Sequence, residues 1–135
     1  MKSAIDLGNT PSSDVPIFTI IILSAIFHSL FYYFLPSSSS LTSLLKTSII
    51  STFHAVVCVF SVMNFFLRYS VNLKQINRIA GGGVYGTGDE IMAYTICYSI
   101  GYFIYDTLQM LLDKSTKMKT GIIHHIIIMT LFFSG

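Results

Sequence analysis

Charge is the scarcest property of this chain. Only 10% of its 135 residues are Asp, Glu, Lys or Arg, against 53% that are apolar. A water-soluble domain of this length needs more charge to cover its surface, so the composition points to a membrane class. A mean hydropathy of +0.69 points the same way. The formal net charge is +2 and no basic cluster is interleaved with aromatics, so nothing suggests a nucleic-acid partner. Cysteine is scarce too. Cys58 and Cys97 both lie in apolar runs; they are too few for a disulfide framework or a zinc site and read as small buried hydrophobes. No Asn-x-Ser/Thr acceptor is present, since Asn9-Thr10 is followed by Pro11. The polar residues 1–16 lack the basic start and small-residue cleavage site of a secretory signal, so the run after Pro16 is expected to stay as an anchor. No internal repeat is visible. The glycines between Tyr69 and Glu90 are not followed by the Lys-Ser/Thr of a phosphate-cradling loop and read as a flexible connector.

What the chain does have is long apolar runs. A bilayer core about 30 Å thick needs about 20 apolar residues in a helix. Residues 17–35 meet this without a charge, ended by Pro36 and the serines 37–40. A second run covers 47–67, with Lys46 and Arg68 at its ends as interfacial anchors. A third covers 91–112, interrupted only by Asp106, and a fourth starts at Gly121 and stops at Gly135. The expected fold is an all-α, polytopic transmembrane bundle with three full spans and a shortened fourth. A chain that stops inside an apolar run is expected to be a fragment or a truncated gene model. Lys2, Arg68, Lys74 and Arg78 fall on one side and Lys46, Lys114, Lys117 and Lys119 on the other, so loop charge assigns no orientation.

Side chains three, four and seven apart share a helix face. In the third run Thr95, Ser99, Tyr102, Asp106, Gln109 and Asp113 follow this spacing. In the second, Thr47, Ser51, His54, Cys58, Ser61 and Arg68 do so. Such stripes turn toward a bundle interior or cavity, because a charge at the bilayer centre costs about 2.5 to 3.5 kcal/mol even on insertion scales. Ser, Thr and Cys in them read as helix packing. Asp106 and His54 are of a costlier type and are expected to face each other across paired stripes. His54, Tyr102 and Gln109 are the expected substrate contacts. His28, one turn after Ser24, reads as a structural or interfacial histidine.

His124 and His125 open the fourth run. Successive helical residues turn by about 100°, so the two rings cannot share one narrow face. Helical histidine ligands normally stand three or four apart, and no metal site is expected. One ring is expected to point at the polar cavity while the other holds it or meets a neighbouring helix. Imidazole can act as base, acid or nucleophile. Asp106, the only acid within a run, is the first candidate to fix its tautomer. The expected catalytic set is therefore His124, His125 and Asp106. Intramembrane Asp and His also line ion paths, which makes a transporter or proton relay an alternative.

The segments Ser51-Thr52-Phe53-His54, Gly101-Tyr102-Phe103-Ile104-Tyr105-Asp106 and Ile123-His124-His125 occur in this order. Together they resemble the landmarks of the TLC domain, the family of translocating-chain-associating, longevity-assurance and ceroid-lipofuscinosis proteins. The resemblance covers about Ile17 to Gly135 and the front half of such a domain, nearest the small TLC domain-containing transmembrane proteins. It implies a role in membrane lipid homeostasis, usually in the endoplasmic reticulum. It also implies membrane lipids as partners, helix association with other membrane proteins, and no cofactor. In ceramide synthases the paired histidines belong to the acyl-transfer site; His124 and His125 match that pair, and Asp106 matches the acid of the preceding span. The enzymatic alternative is thus a sphingoid-base N-acyltransferase with acyl-CoA as co-substrate.

Overall fold

The computed structural model describes residues 16–36, 42–69, 89–112 and 119–134. Within them the chain is all-helical: α1 (Ile17–Phe34), α2 (Ser43–Tyr69), α3 (Glu90–Leu112) and α4 (Lys119–Ser134). Residues 1–15, most of the glycine connector and the basic loop after Leu112, with Asp113, lie outside the described residues.

Local chemistry sets the helix ends. The Pro16 carbonyl accepts the Ile20 N–H at 3.0 Å. At the other end Leu35 turns extended (φ −65°, ψ 129°), as a residue before proline is pushed to do. The second helix starts at Ser43, four residues before the expected Thr47, because Thr42 caps it. The Thr42 hydroxyl accepts the Leu45 N–H at 3.3 Å, and its carbonyl accepts the Lys46 N–H. Thr47, Ser48 and Thr52 donate to carbonyls one turn back, at 2.9–3.0 Å, so these hydroxyls add no unmet donor to an apolar surface. Asp89 caps α3: its Oδ1 accepts the Met92 N–H at 2.8 Å, and a carboxylate suits the positive end of a helix.

The third helix is the spine. It packs against each of the other three, most widely against α1, while α1 and α2 meet only lightly. Burial follows that placement. Along α3, Ala93, Thr95, Cys97, Ser99, Ile100, Gly101, Tyr102, Tyr105 and Asp106 are all enclosed, whereas α1 buries only Ile21, Ser24 and His28. The first helix, with 18 residues, and the Ser43–Arg68 part of the second, with 26, are long and apolar enough to cross a membrane. The more polar α3 is covered by its neighbours, so its Ser, Thr and Asp side chains avoid the apolar surroundings.

Close approach of α1 and α3 depends on Gly101. A Cβ there would lie 2.5 Å from the Ile21 carbonyl oxygen and 2.5 Å from Ser24 Cβ, which leaves no room for any side chain. The Ser24 hydroxyl then reaches across to donate to the Tyr98 carbonyl at 2.7 Å.

Cations fasten α2 at both ends. Lys46 is buried; its Nζ donates to the Leu35 carbonyl at 2.7 Å and lies 5.3 Å from the centre of the Tyr32 ring. It thereby satisfies a carbonyl at the negative end of α1. Arg68 forks onto buried Asp89, with Nη1–Oδ2 and Nη2–Oδ1 both at 3.3 Å. Each anchor therefore has a specific partner on the adjacent helix end. The Leu35–Lys46, Arg68–Asp89 and Asp106–His125 contacts fit successive helices that run antiparallel.

Candidate functional site

Two polar patches lie along the covered face of α3. The first is at mid-bundle and joins three helices. His28, fully enclosed, has its Nδ1 2.7 Å from the Ser24 carbonyl and its Nε2 3.1 Å from the Tyr98 hydroxyl. A carbonyl can only accept, so Nδ1 carries the proton and Nε2 accepts from Tyr98. His54 from α2 has its Nε2 3.2 Å from the Ser99 hydroxyl, and the Cys58 sulfur lies 3.3 Å from both groups. Its ring is stacked on Tyr102, with centroids 4.0 Å apart and planes 10° apart. That contact holds the imidazole in one plane.

The second patch lies nearer the α3–α4 connection. Asp106 is buried, and its Oδ2 lies 3.5 Å from His125 Nε2. The other ring nitrogen, Nδ1, is 3.3 Å from the Thr107 hydroxyl. Phe103 packs against the same ring at 5.0 Å. Two buried atoms here differ from the rest: among the described residues, Asp106 Oδ1 and the Tyr105 hydroxyl have no hydrogen-bond partner. Leaving such groups unpaired costs about 1–3 kcal/mol each, so a polar group supplied from outside these helices would be favoured here. Tyr105 links the patches, since its ring lies 5.9 Å from that of His28.

The expected site residues divide between these patches. Asp106 and His125 come together. His54 does not meet Asp106; it meets Ser99, with Tyr102 stacked on its ring. Gln109 is half-buried further along α3. His124 is exposed, and its ring lies 5.9 Å from that of His125 at 50°, so the two rings serve different surroundings. Sequence reasoning passed over Tyr98, Tyr105 and Asp89. Tyr105 was legible as a neighbour of Asp106 in the same short segment, and Asp89 as an acid just ahead of an apolar run. Tyr98 lies off the polar stripe assigned to its helix and gave no such signal.

Chemically, a carboxylate at Nε2 favours the proton on that nitrogen and leaves Nδ1 as the basic atom of His125. The carboxylate oxygen without a partner among the described residues offers an acceptor, and the Tyr105 hydroxyl, likewise without one, offers a donor. Among the described residues no three His, Cys, Asp or Glu side chains converge to hold a metal ion.

The family model described as the TLC domain matches residues 44–135, from the first turn of α2 through α4. The chain belongs to the TLC-domain family. Among curated proteins it is similar to TLC domain-containing protein 1 of Mus musculus, at 42% identity over 41 residues. That match covers 30% of this chain and 17% of the relative, so it spans a small part of the relative's length. No solved structure matches the chain. In this TLC-domain protein α1 precedes the matched region, yet it supplies His28 and Ser24 to the first patch and the surface on which Gly101 rests.

Proposed function

We propose that this TLC-domain chain is a multi-pass membrane protein acting in membrane lipid homeostasis, placed in the endoplasmic reticulum, with its lipid contact at Tyr105, Asp106 and His125. On this reading α1, α2 and α3 cross the bilayer and α4 begins a fourth crossing. One observation carries the proposal: an imidazole set against a carboxylate whose second oxygen is buried without a partner among the described residues, as is the hydroxyl of the next residue, Tyr105. A lipid head entering from the bilayer would meet both a donor and an acceptor there, while the apolar outer faces of α1 and α4 accommodate its chains.

The test is to express the chain and its Asp106→Asn and His125→Ala variants at matched levels and quantify membrane lipid classes. The wild type should shift the lipid profile relative to empty cells, and each variant should lose most of that shift while keeping its place in the membrane. A wild-type profile equal to that of empty cells, or variants equal to wild type, would overturn the assignment.

The orientation of His125 by Asp106 favours one further reading, a sphingoid-base N-acyltransferase using acyl-CoA. Nδ1 would take a proton from the amine as its nitrogen attacks the thioester carbonyl; the C–S bond then breaks, and coenzyme A leaves as a thiol with that proton. Purified chain incubated with labelled acyl-CoA and a sphingoid base decides this; amide formation unaffected by His125→Ala would sink it.

A further inference from the structure

Threonines inside the helices of this chain follow one habit, with a single exception among the described residues. Thr47, Thr52, Thr95 and Thr130 each donate to the carbonyl one turn back, at 2.7–3.0 Å. That bond is the ordinary way to satisfy a hydroxyl in apolar surroundings. Thr107 forgoes it. Its hydroxyl instead lies 3.3 Å from His125 Nδ1, on the neighbouring helix. The opposite ring nitrogen, Nε2, is 3.5 Å from Asp106 Oδ2. Hydroxyl, imidazole and carboxylate therefore stand in the order of nucleophile, base and orienting group. Nucleophile and base in such sites are about 2.6–3.2 Å apart, and looser outside a substrate complex. Burial is graded in the same order: Thr107 is half-buried, whereas His125 and Asp106 are enclosed. The reactive oxygen is the member of the three that a lipid can reach.

Two further observations point to what it would meet. This patch is not closed, since Asp106 Oδ1 and the Tyr105 hydroxyl are buried without a partner among the described residues. A carbonyl under attack gathers negative charge and calls for a spare donor, which that phenol hydroxyl is. Depth is the second. Thr107 stands five residues from the end of α3 at Leu112, and His125 six from the start of α4 at Lys119, about 7–9 Å of rise. In helices that cross the bilayer this level is near the edge of the hydrocarbon core, where the ester carbonyls of glycerolipids lie.

We propose that Thr107 is the nucleophile of an acyl-transfer triad with His125 and Asp106, and that it takes an acyl chain from a glycerolipid ester. The proposal rests on the lipid-contact reading of this patch and adds a covalent step to it. His125 Nδ1 accepts the Thr107 hydroxyl proton as Oγ1 attacks the ester carbonyl carbon. The C–O bond to the glycerol breaks, and the departing oxygen takes the proton from the imidazolium, which releases a lysolipid. Water then attacks the threonyl ester and gives a proton to Nδ1. That proton passes to Thr107 Oγ1 as its bond to the acyl carbon breaks, and a fatty acid leaves. Asp106 holds the Nε2 proton throughout and so keeps Nδ1 free to act as the base.

The experiment places the purified chain in nanodiscs containing phosphatidylcholine with an alkyne-tagged acyl chain, and follows lysolipid release and acyl adducts by mass spectrometry. The expected result is lysolipid formation with an acyl ester on Thr107 that survives neutral hydroxylamine, as an oxygen ester does and an acyl-imidazole does not. Thr107→Val should abolish both, Thr107→Ser should retain both, and His125→Ala should slow lysolipid release by about a hundredfold. Thr130→Val, which deletes a hydroxyl bonded to its own helix, should behave as wild type. Absence of lysolipid and adduct in the wild type would overturn the proposal. An adduct on His125 in place of Thr107, or a Thr107→Val chain that releases lysolipid at the wild-type rate, would do the same. So would acylation by alkyne-tagged palmitoyl-CoA with none from the phospholipid. Membrane lipid classes in cells separate this proposal from the reading it rests on: a profile shift that persists in Thr107→Val but is lost in Asp106→Asn sinks the triad and keeps the lipid contact.

Discussion

The two patches on α3 are built from the same residue types and end in opposite states. Around His28 and His54 the buried side chains meet one another: both nitrogens of His28 are engaged, the Tyr98 hydroxyl is used, and Ser99, Cys58 and His54 form a closed triangle. Around Asp106 the Tyr105 hydroxyl and one carboxylate oxygen are buried with nothing to bond among the described residues. Burial without pairing is a cost that packing does not require. The closed patch therefore reads as a device that joins α1, α2 and α3. The open one reads as the place where something else binds.

The largest expected effect tests whether the closed patch depends on helix approach. Gly101→Ala puts a methyl group 2.5 Å from the Ile21 carbonyl oxygen, a backbone atom that can yield only if α1 moves. Overpacking of this kind costs about 1–3 kcal/mol, enough to outweigh the ~1 kcal/mol that alanine ordinarily gains over glycine in a helix. The variant should denature at lower SDS fraction in mixed micelles and lose the His28–Tyr98 contact, while the Asp106–His125 contact on α4 survives. Unchanged resistance to SDS would mean that α1 does not rest on Gly101.

Much of this comparison could be read before any coordinates, and the part that could not has a physical cause. The helices were legible because each apolar run ends at a residue with a defined effect: Pro36, Lys46, Arg68. The expected start of α2 fell late because Lys46 looked like a boundary charge, whereas its long stem folds back to the Leu35 carbonyl and leaves room for another helical turn. Stripe spacing found both His54 and Asp106 but paired them wrongly. Antiparallel helices match by depth. His54 stands eleven residues into α2, which runs from Ser43, about 16 Å of rise. Asp106 stands six residues from the end of α3 at Leu112, about 9 Å, while Tyr102 lies at about 15 Å and is the residue on which His54 stacks. Periodicity gives the face of a helix and not the level at which it meets its neighbour. The dominance of the α1–α3 contact was hidden for a related reason: Gly101 and Ser24 carry almost no hydrophobic signal, and small size is what lets those helices close.

A smaller effect is expected from Tyr98→Phe, which removes the hydroxyl that donates to His28 Nε2. The imidazole keeps its bond to Ser24, but Nε2 becomes a buried acceptor without a donor. Interhelical hydrogen bonds in membrane bundles average about 0.6 kcal/mol and reach about 1.7 kcal/mol, and the fully enclosed site places this one near the upper figure. The SDS midpoint should fall, by less than in Gly101→Ala. A midpoint equal to wild type would show that the patch is held by ring packing alone.

Tyr105→Phe makes the identical chemical deletion about two turns further on, where the hydroxyl has no partner among the described residues to lose. Removing a buried, unpaired polar group relieves its desolvation cost, so stability should hold or rise by up to about 1 kcal/mol. The sign, opposite to that of Tyr98→Phe, is what distinguishes the two patches; the group deleted is the same phenol hydroxyl, from a half-buried ring at Tyr98 and a fully buried one at Tyr105. Lipid retention should move the other way, with Tyr105→Phe releasing bound lipid more readily through nanodisc exchange than Tyr98→Phe does. If both variants lose stability equally, Tyr105 has a structural partner, and the open patch is closed in the folded protein. If Tyr105→Phe is neutral and also retains lipid as the wild type does, the empty donor is a tolerated defect, and the lipid contact must be sought from Asp106 and His125 alone.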